Sequence, residues 1–159
     1  MEAKIPGTTE EMMKWITRSH VHVDRVACPW LILRFIDNQA EFLFVPKSQV
    51  KIIAAEIEGI PFDVAEVELG HMDGRCSFES ILLKYGLTDP ALLRMAKIIH
   101  TADTSEGYDR EPIAVGLEAI ASGFSLLHPC DEDNLAIQFE VYDALYAWCR
   151  LDIARKTGK

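Results

Sequence analysis

The stretch DNLAIQFEVYDALYAWCRLDIARK, residues 133–156, decides the fold class. Its apolar residues Leu135, Phe139, Tyr142, Tyr146, Cys149 and Ile153 recur at intervals of four, three, four, three and four. An α-helix turns once in 3.6 residues, so this spacing lines all six along one face. Asp131, Glu132 and Asp133 lie at the start of the segment and Arg150, Arg155 and Lys156 at its end, each charge opposing the local end of the helix dipole. A long helix with one apolar stripe must bury that stripe, so partners are required from the rest of the chain.

Reading outward, more helices supply them. Pro112 opens a segment carrying Ile113, Leu117, Ile120, Phe124 and Leu127, closed by His128-Pro129. Before it, 104–111 is polar and contains Gly107, which reads as a loop. Asp89-Pro90 pairs a capping carboxylate with a proline at the first helical position, and Leu92, Met95, Ala96 and Ile99 form the buried stripe of a helix ending near Asp103. Ser77 is a cap for a helix bearing Phe78, Ile81, Leu82 and Tyr85, with Gly86 as its stop. Residues 47–57 read as a helix ended by Gly59, and Glu41 to Val45 as a strand stopped by Pro46. The run from Asp24 to Asp37 is apolar on most sides; Pro29 fits a first turn, so the buried helix is expected to begin near it.

His20-Val21-His22-Val23 alternates and reads as a short strand. Thr8 and Glu11 have capping-box spacing, predicting a first helix that reaches about Arg18 with Met12, Trp15 and Ile16 on one face. Pro61 to Val64 and Val67 to Leu69 are short extended pieces leading into the polar loop Gly70 to Arg75. The sum is an α+β fold, predominantly helical, a single compact domain over 1–159 with about six helices and a few short strands. A chain of 159 residues has the usual single-domain size, and its 49% hydrophobic and 26% charged residues are those of a globular protein.

Composition also narrows function. The longest apolar run, Ala27 to Ile36, is interrupted by Arg34 and is about half the ~20 residues that span a bilayer. With no signal-peptide pattern at the N-terminus, a cytoplasmic protein is expected. A net charge of −9 repels phosphate backbones, so nucleic acid is not expected as a partner of this chain alone. Cys28, Cys76, Cys130 and Cys149 include no CxxC, and free thiols are expected in a reducing compartment.

The chemistry concentrates in two places. His71 and Cys76 flank a glycine-containing loop just before a helix, where backbone donors bind anions or lower a thiol pKa, and Arg75 adds positive charge. The alternative there is a plain surface loop with an inert cysteine. His100 and Asp103 stand three apart on one helix and point the same way; with His71 and Glu79 they compose an imidazole and carboxylate set suited to zinc, manganese or iron. Equally, His100 could simply cap a helix C-terminus. Arg25 could grip an oxyanion with its planar fork, or pair internally with Asp24; Arg34 is open to an internal ion pair as well. Trp148 lies off the long helical stripe and is a candidate contact surface.

Four ordered blocks resemble a known family: WITRSHVHVDRVACPWLILRFIDNQAEFLFVP from Trp15, IPFDVAEVELGHMDGRCSFESILLKYGL from Ile60, DPALLRMAKIIHTADT from Asp89 and VYDALYAWCR from Val141. Over about Trp15 to Arg150 they resemble the C-terminal domain of ChrB-like chromate-resistance proteins. The resemblance implies a regulatory or accessory role in chromate-resistance operons, with Asp24, Arg25, Cys28, Trp30, His71, Cys76, Phe78, His100 and Asp103 in recurring motifs. Longer regulator-like members carry an additional N-terminal region absent from this sequence, which with the acidic balance sets the expectation against DNA reading.

Two functions follow as expectations. One is a chromate- or oxidative-stress-resistance domain, either a binding accessory or a metal-dependent enzyme, with His71, His100, Asp103 and Glu79 holding a divalent ion, Arg25, Arg75 and Ser77 attracting an oxyanion such as chromate, and Cys76 as reductant or nucleophile. The other is a non-catalytic chromate sensor or interaction module working through a protein partner or a second copy of itself. In either, His100 and Asp103 should face the His71 to Cys76 loop across one pocket.

Overall fold

The computed structural model describes residues 13–105 and 111–158. The elements run β1 (Lys14–Arg18), α1 (Val23–Phe35), β2 (Glu41–Val45), a single 3-10 turn at Lys47–Gln49 leading into α2 (Val50–Ile57), β3 (Ile60–Pro61), α3 (Ser77–Lys84), α4 (Pro90–Thr104), α5 (Pro112–Leu127) and α6 (Asp131–Lys156). The expected class is what forms: a predominantly helical, compact α+β structure with a small sheet.

β1 lies between β2 and β3, and both pairings are parallel. Trp15 stands opposite Phe42 on one side and Ile60 on the other. This corrects the helix expected from Thr8 to about Arg18: Trp15, Ile16 and Thr17 are all buried in succession, as happens in a central strand covered on both faces. Trp15 and Ile16 fit either period when only five residues are read. The capping-box residues Thr8 and Glu11 lie outside the described residues.

The strand expected at His20 to Val23 is instead the turn into α1. His20 has a left-handed backbone (φ 68°), and the backbone N–H groups of His20 and Val21 both donate to the Asp131 carboxylate, at 3.0 and 2.8 Å. Four alternating residues were too short a signal to fix a strand.

α1 starts at Val23, six residues before the expected Pro29, which sits inside the helix. Proline keeps a helical φ and removes one donor, at a cost of about 3 kcal/mol or more. Burial of Trp30, Leu31 and Ile32, each fully enclosed, contributes about 1.5–3 kcal/mol apiece and outweighs it. α1 is the hub of the molecule and packs against α3, α4, α5 and α6.

β2, α2, α4, α5 and α6 lie close to the expected positions. Asp89 caps α4 by accepting from the Ala91 N–H at 2.8 Å, with Pro90 as the first helical residue. α6 begins two residues early, at Asp131; Leu135, Tyr142 and Cys149 of its stripe are buried, and the Tyr142 hydroxyl donates to the Val23 carbonyl at 3.1 Å. Trp148 is partly buried with the Arg94 guanidinium 5.6 Å from its ring, so it is a covered side chain and not an open contact surface.

Of the extended pieces expected at 61–69, only Ile60–Pro61 is a strand; the chain then turns, with left-handed Asp63 and Glu66. Gly70 closes this turn where a Cβ would stand 2.4 Å from the Val64 carbonyl oxygen, which only glycine avoids. That contact fixes the start of the His71 loop. Among the described residues no helix is long and apolar enough to cross a membrane.

Candidate metal centre

The carboxyl ends of the parallel strands share one edge of the sheet, the edge beyond which doubly wound sheets form a crevice. The turn after β1 leads into Asp24 and Arg25 on the first turn of α1, and β3 leads directly to Phe62 and Asp63. Such crevices are where parallel α/β sheets hold ligands, particularly where the strand order reverses. Here the chain passes from β1 to one neighbour and then crosses to the other, so β1 marks that reversal.

Asp24 is 1% exposed, a carboxylate inside the core. Its oxygens accept from the backbone N–H groups of Ser77 (2.9 Å) and Phe78 (3.1 Å), the free donors at the start of α3. The Cys28 thiol donates to it as well, at 3.4 Å. Asp63, also buried, accepts from the Ser77 hydroxyl at 2.8 Å and faces Arg25 Nη1 at 3.3 Å. Arg25 is further held by the His20 carbonyl, at 3.2 and 2.7 Å from Nε and Nη2.

His71 Nε2 enters this nest from the loop, 3.2 Å from Asp103, 3.5 Å from Asp24 and 3.6 Å from Asp63. Hydrogen bonding to Asp24 and then to Asp63 pushes its pKa up to about 10, so it is an imidazolium at neutral pH. Burial raises the Asp103 pKa to about 6, reinforced by the charges of Asp24 and Asp63. Burial also pushes Asp24 upward, against the pull of His71.

One helical turn earlier on α4, His100 Nδ1 lies 2.5 Å from Glu79 Oε1. Glu79 in turn accepts from the Cys76 N–H at 3.0 Å, and the Cys76 side chain takes the N–H of Glu79, so the pair forms a capping box. The cap of α3 is therefore Cys76, and the expected capping residue Ser77 is the first helical residue, its hydroxyl turned to Asp63. Burial opposes ionisation of Glu79, but the Cys76 N–H and His100 outweigh it and hold the carboxyl below its usual range. Burial, with the Asp24 charge, pushes the Cys76 thiol far above its ordinary value, so any lowering by the helix start is overcome.

The expected site residues thus divide. His71 and Asp103 meet at Asp24; Glu79 and His100 meet at Cys76; within each trio the ligand atoms lie within 4.8 Å of one another. His100 sits within α4, four residues before its end, and does not cap it. Arg25 reaches the first set through Asp63. Arg75 is 3.6 Å from Asp73, with its Nε buried and unpartnered. The start of α3 is already filled by an anion, the Asp24 carboxylate. Asp63 escaped the sequence reading; its one signal was its place directly after a strand, informative only once that strand is known to be parallel.

Fold and site together define a helical α+β domain with ionisable side chains gathered beyond the carboxyl edge of a small parallel sheet. Residues 15–149 match the family model "ChrB, C-terminal domain". The chain is 39% identical over 134 residues to Protein ChrB of Cupriavidus metallidurans, a match covering 84% of this chain and 40% of that protein. The chain belongs to the ChrB C-terminal domain family, and it spans about two fifths of the length of that relative. No solved structure matches it.

Proposed function

We propose that this domain serves chromate resistance by binding a divalent metal ion between Asp24, His71 and Asp103, with Asp63 and Arg25 beside it. The separations carry the reading. Two ligands about 2.1 Å from one ion lie roughly 3.0–3.5 Å apart at octahedral or tetrahedral angles. His71 Nε2 is 3.2 Å from Asp103 and 3.5 Å from Asp24. An ion would take the place of the proton on His71 Nε2. Two carboxylates and one imidazole favour manganese or iron(II) over zinc.

Charge argues in the same direction. Three carboxylates face one imidazolium and Arg25, so a free oxyanion meets net repulsion, whereas a cation meets attraction. An oxyanion such as chromate would then be held through the metal's open positions, with Arg25 as the nearest fixed cation. Cys76 is a protonated, buried thiol and is not a ready nucleophile in the metal-free protein. A cytoplasmic site of action fits this role.

A second reading, a non-catalytic oxyanion sensor acting through a partner, is favoured by one observation: the His71 ring is 47% exposed and charged, so it presents a cation to solvent. Protein purified without affinity nickel separates the two. The metal reading expects bound manganese or iron, or a rise in melting temperature on adding manganese, abolished in Asp103→Asn. Chromate-induced stabilisation of the metal-free protein, with no response to metal, favours the sensor.

A further inference from the structure

We infer that Cys76, Glu79 and His100 form a second metal site, distinct from the oxygen-rich centre, that takes a borderline-soft divalent ion of the zinc type. One sulfur, one oxygen and one nitrogen ligand converge within 4.8 Å. Such a mixed set suits zinc, three protein ligands leaving a fourth position open.

The local structure explains why these three meet. The capping box puts the side chains at the cap and at the third helical residue on the same turn, which joins Cys76 to Glu79. α4 packs against α3 and brings His100 to Glu79. Capping alone does not account for sulfur at this position, because serine, threonine, aspartate and asparagine are the residues that cap well. An ion would reach the trio by way of its two partly exposed members, Cys76 itself being buried. Glu79 and His100 are 30% and 24% exposed, and Glu79 lines a cavity of about 500 Å³ shared with Leu82, Gly86, Leu87, Ala96 and Lys97.

Binding expels the Cys76 thiol proton to solvent and displaces the proton between Glu79 and His100, which leaves or passes to the other ring nitrogen of His100; no electron moves. The Glu79 to His100 separation of 2.5 Å then opens to roughly 3.3 Å, the spacing of two ligands about 2.0 Å from one tetrahedral ion. The helix α3 need not move for this, since both side chains are partly exposed.

Cobalt(II) is the probe, because only a thiolate ligand produces the near-ultraviolet sulfur-to-cobalt charge-transfer band. The site predicts a band that saturates at about one equivalent in the wild type. It should persist in Asp103→Asn, Cys28→Ser and Cys130→Ser, which separates this site from the first and from the other nearby or exposed thiols. Cys76→Ser keeps a good cap, hence its melting temperature, and should lose the band. His100→Ala, in a residue that caps no helix, should weaken cobalt binding at least about tenfold. No charge-transfer band in the wild type, a band that survives Cys76→Ser, or unchanged affinity in His100→Ala would overturn the assignment.

Discussion

Two carboxylates hold the first turn of α3, and they do so from opposite environments. Asp24 reaches it from α1 and is buried, accepting from Ser77 and Phe78; Glu79 reaches it from within α3, is about a third exposed, and accepts from Cys76. Each carboxylate also meets a histidine, His71 for Asp24 and His100 for Glu79. The histidine at the buried carboxylate is held strongly as a cation by its hydrogen bond to Asp24 and then to Asp63, with the Asp103 charge adding to them. Depth and neighbouring charge therefore give two similar acid and imidazole pairs different chemistry, although His100 and Asp103 are separated by less than one turn of α4.

The largest difference between the two carboxylates is expected on removing Asp24. Asp24→Ala strips two N–H groups of their acceptor inside the core and leaves His71 with less compensation, so urea unfolding should show a loss of about 3–5 kcal/mol. Glu79→Ala removes the equivalent acceptor at a partly exposed position and should cost about 1–2 kcal/mol. Equal losses in the two variants would contradict the difference in depth.

Removing the imidazolium separates the pairs by pH. His71→Ala should cost about 1 kcal/mol in metal-free protein at pH 6, discounted for the half-exposed ring. The folded pKa is raised from 6.5 to about 10, so this contribution is complete below about 6.5 and vanishes as pH rises through 10. Melting temperatures of wild type and variant should converge over that window; a constant gap would count against the raised value.

Asp103→Asn carries the smallest effect and the opposite sign. Its folded pKa lies above the ordinary 3.8, at about 6, so the ionised carboxylate costs stability above pH 6 and that cost disappears as pH falls toward 4. The metal-free variant should melt slightly above the wild type at pH 7.5 and level with it near pH 4. A functional carboxylate kept at the expense of stability is the pattern expected of a ligand.

What the sequence made legible follows from length and pattern. α6 and α4 were readable because long periodic stripes and the Asp89-Pro90 start admit one interpretation. β1 was not, because a central strand buries Trp15, Ile16 and Thr17 in succession and erases its alternation. α1 was displaced because a proline enclosed on every side costs less than its loss of packing would. At the site, chemical character was visible in His71, Cys76, Glu79, His100 and Asp103, but their partition into two sets was not. That partition depends on Asp24 and Asp63, which enter from α1 and β3 at sequence distances of 53 and 14 residues from Ser77.

The Asp24, His71 and Asp103 nest is proposed to hold a hard divalent ion. Manganese(II) titration followed by electron paramagnetic resonance tests it directly, since the free ion gives a strong six-line signal that binding broadens away. Wild type and Cys76→Ser should each remove about one equivalent of manganese signal at pH 7.5 and Asp103→Asn and His71→Ala should not, with binding weakening as pH falls below about 10, where His71 takes up a proton, and more steeply below about 6, where Asp103 does. Undiminished manganese signal with the wild type, or equal binding by Asp103→Asn, would contradict it.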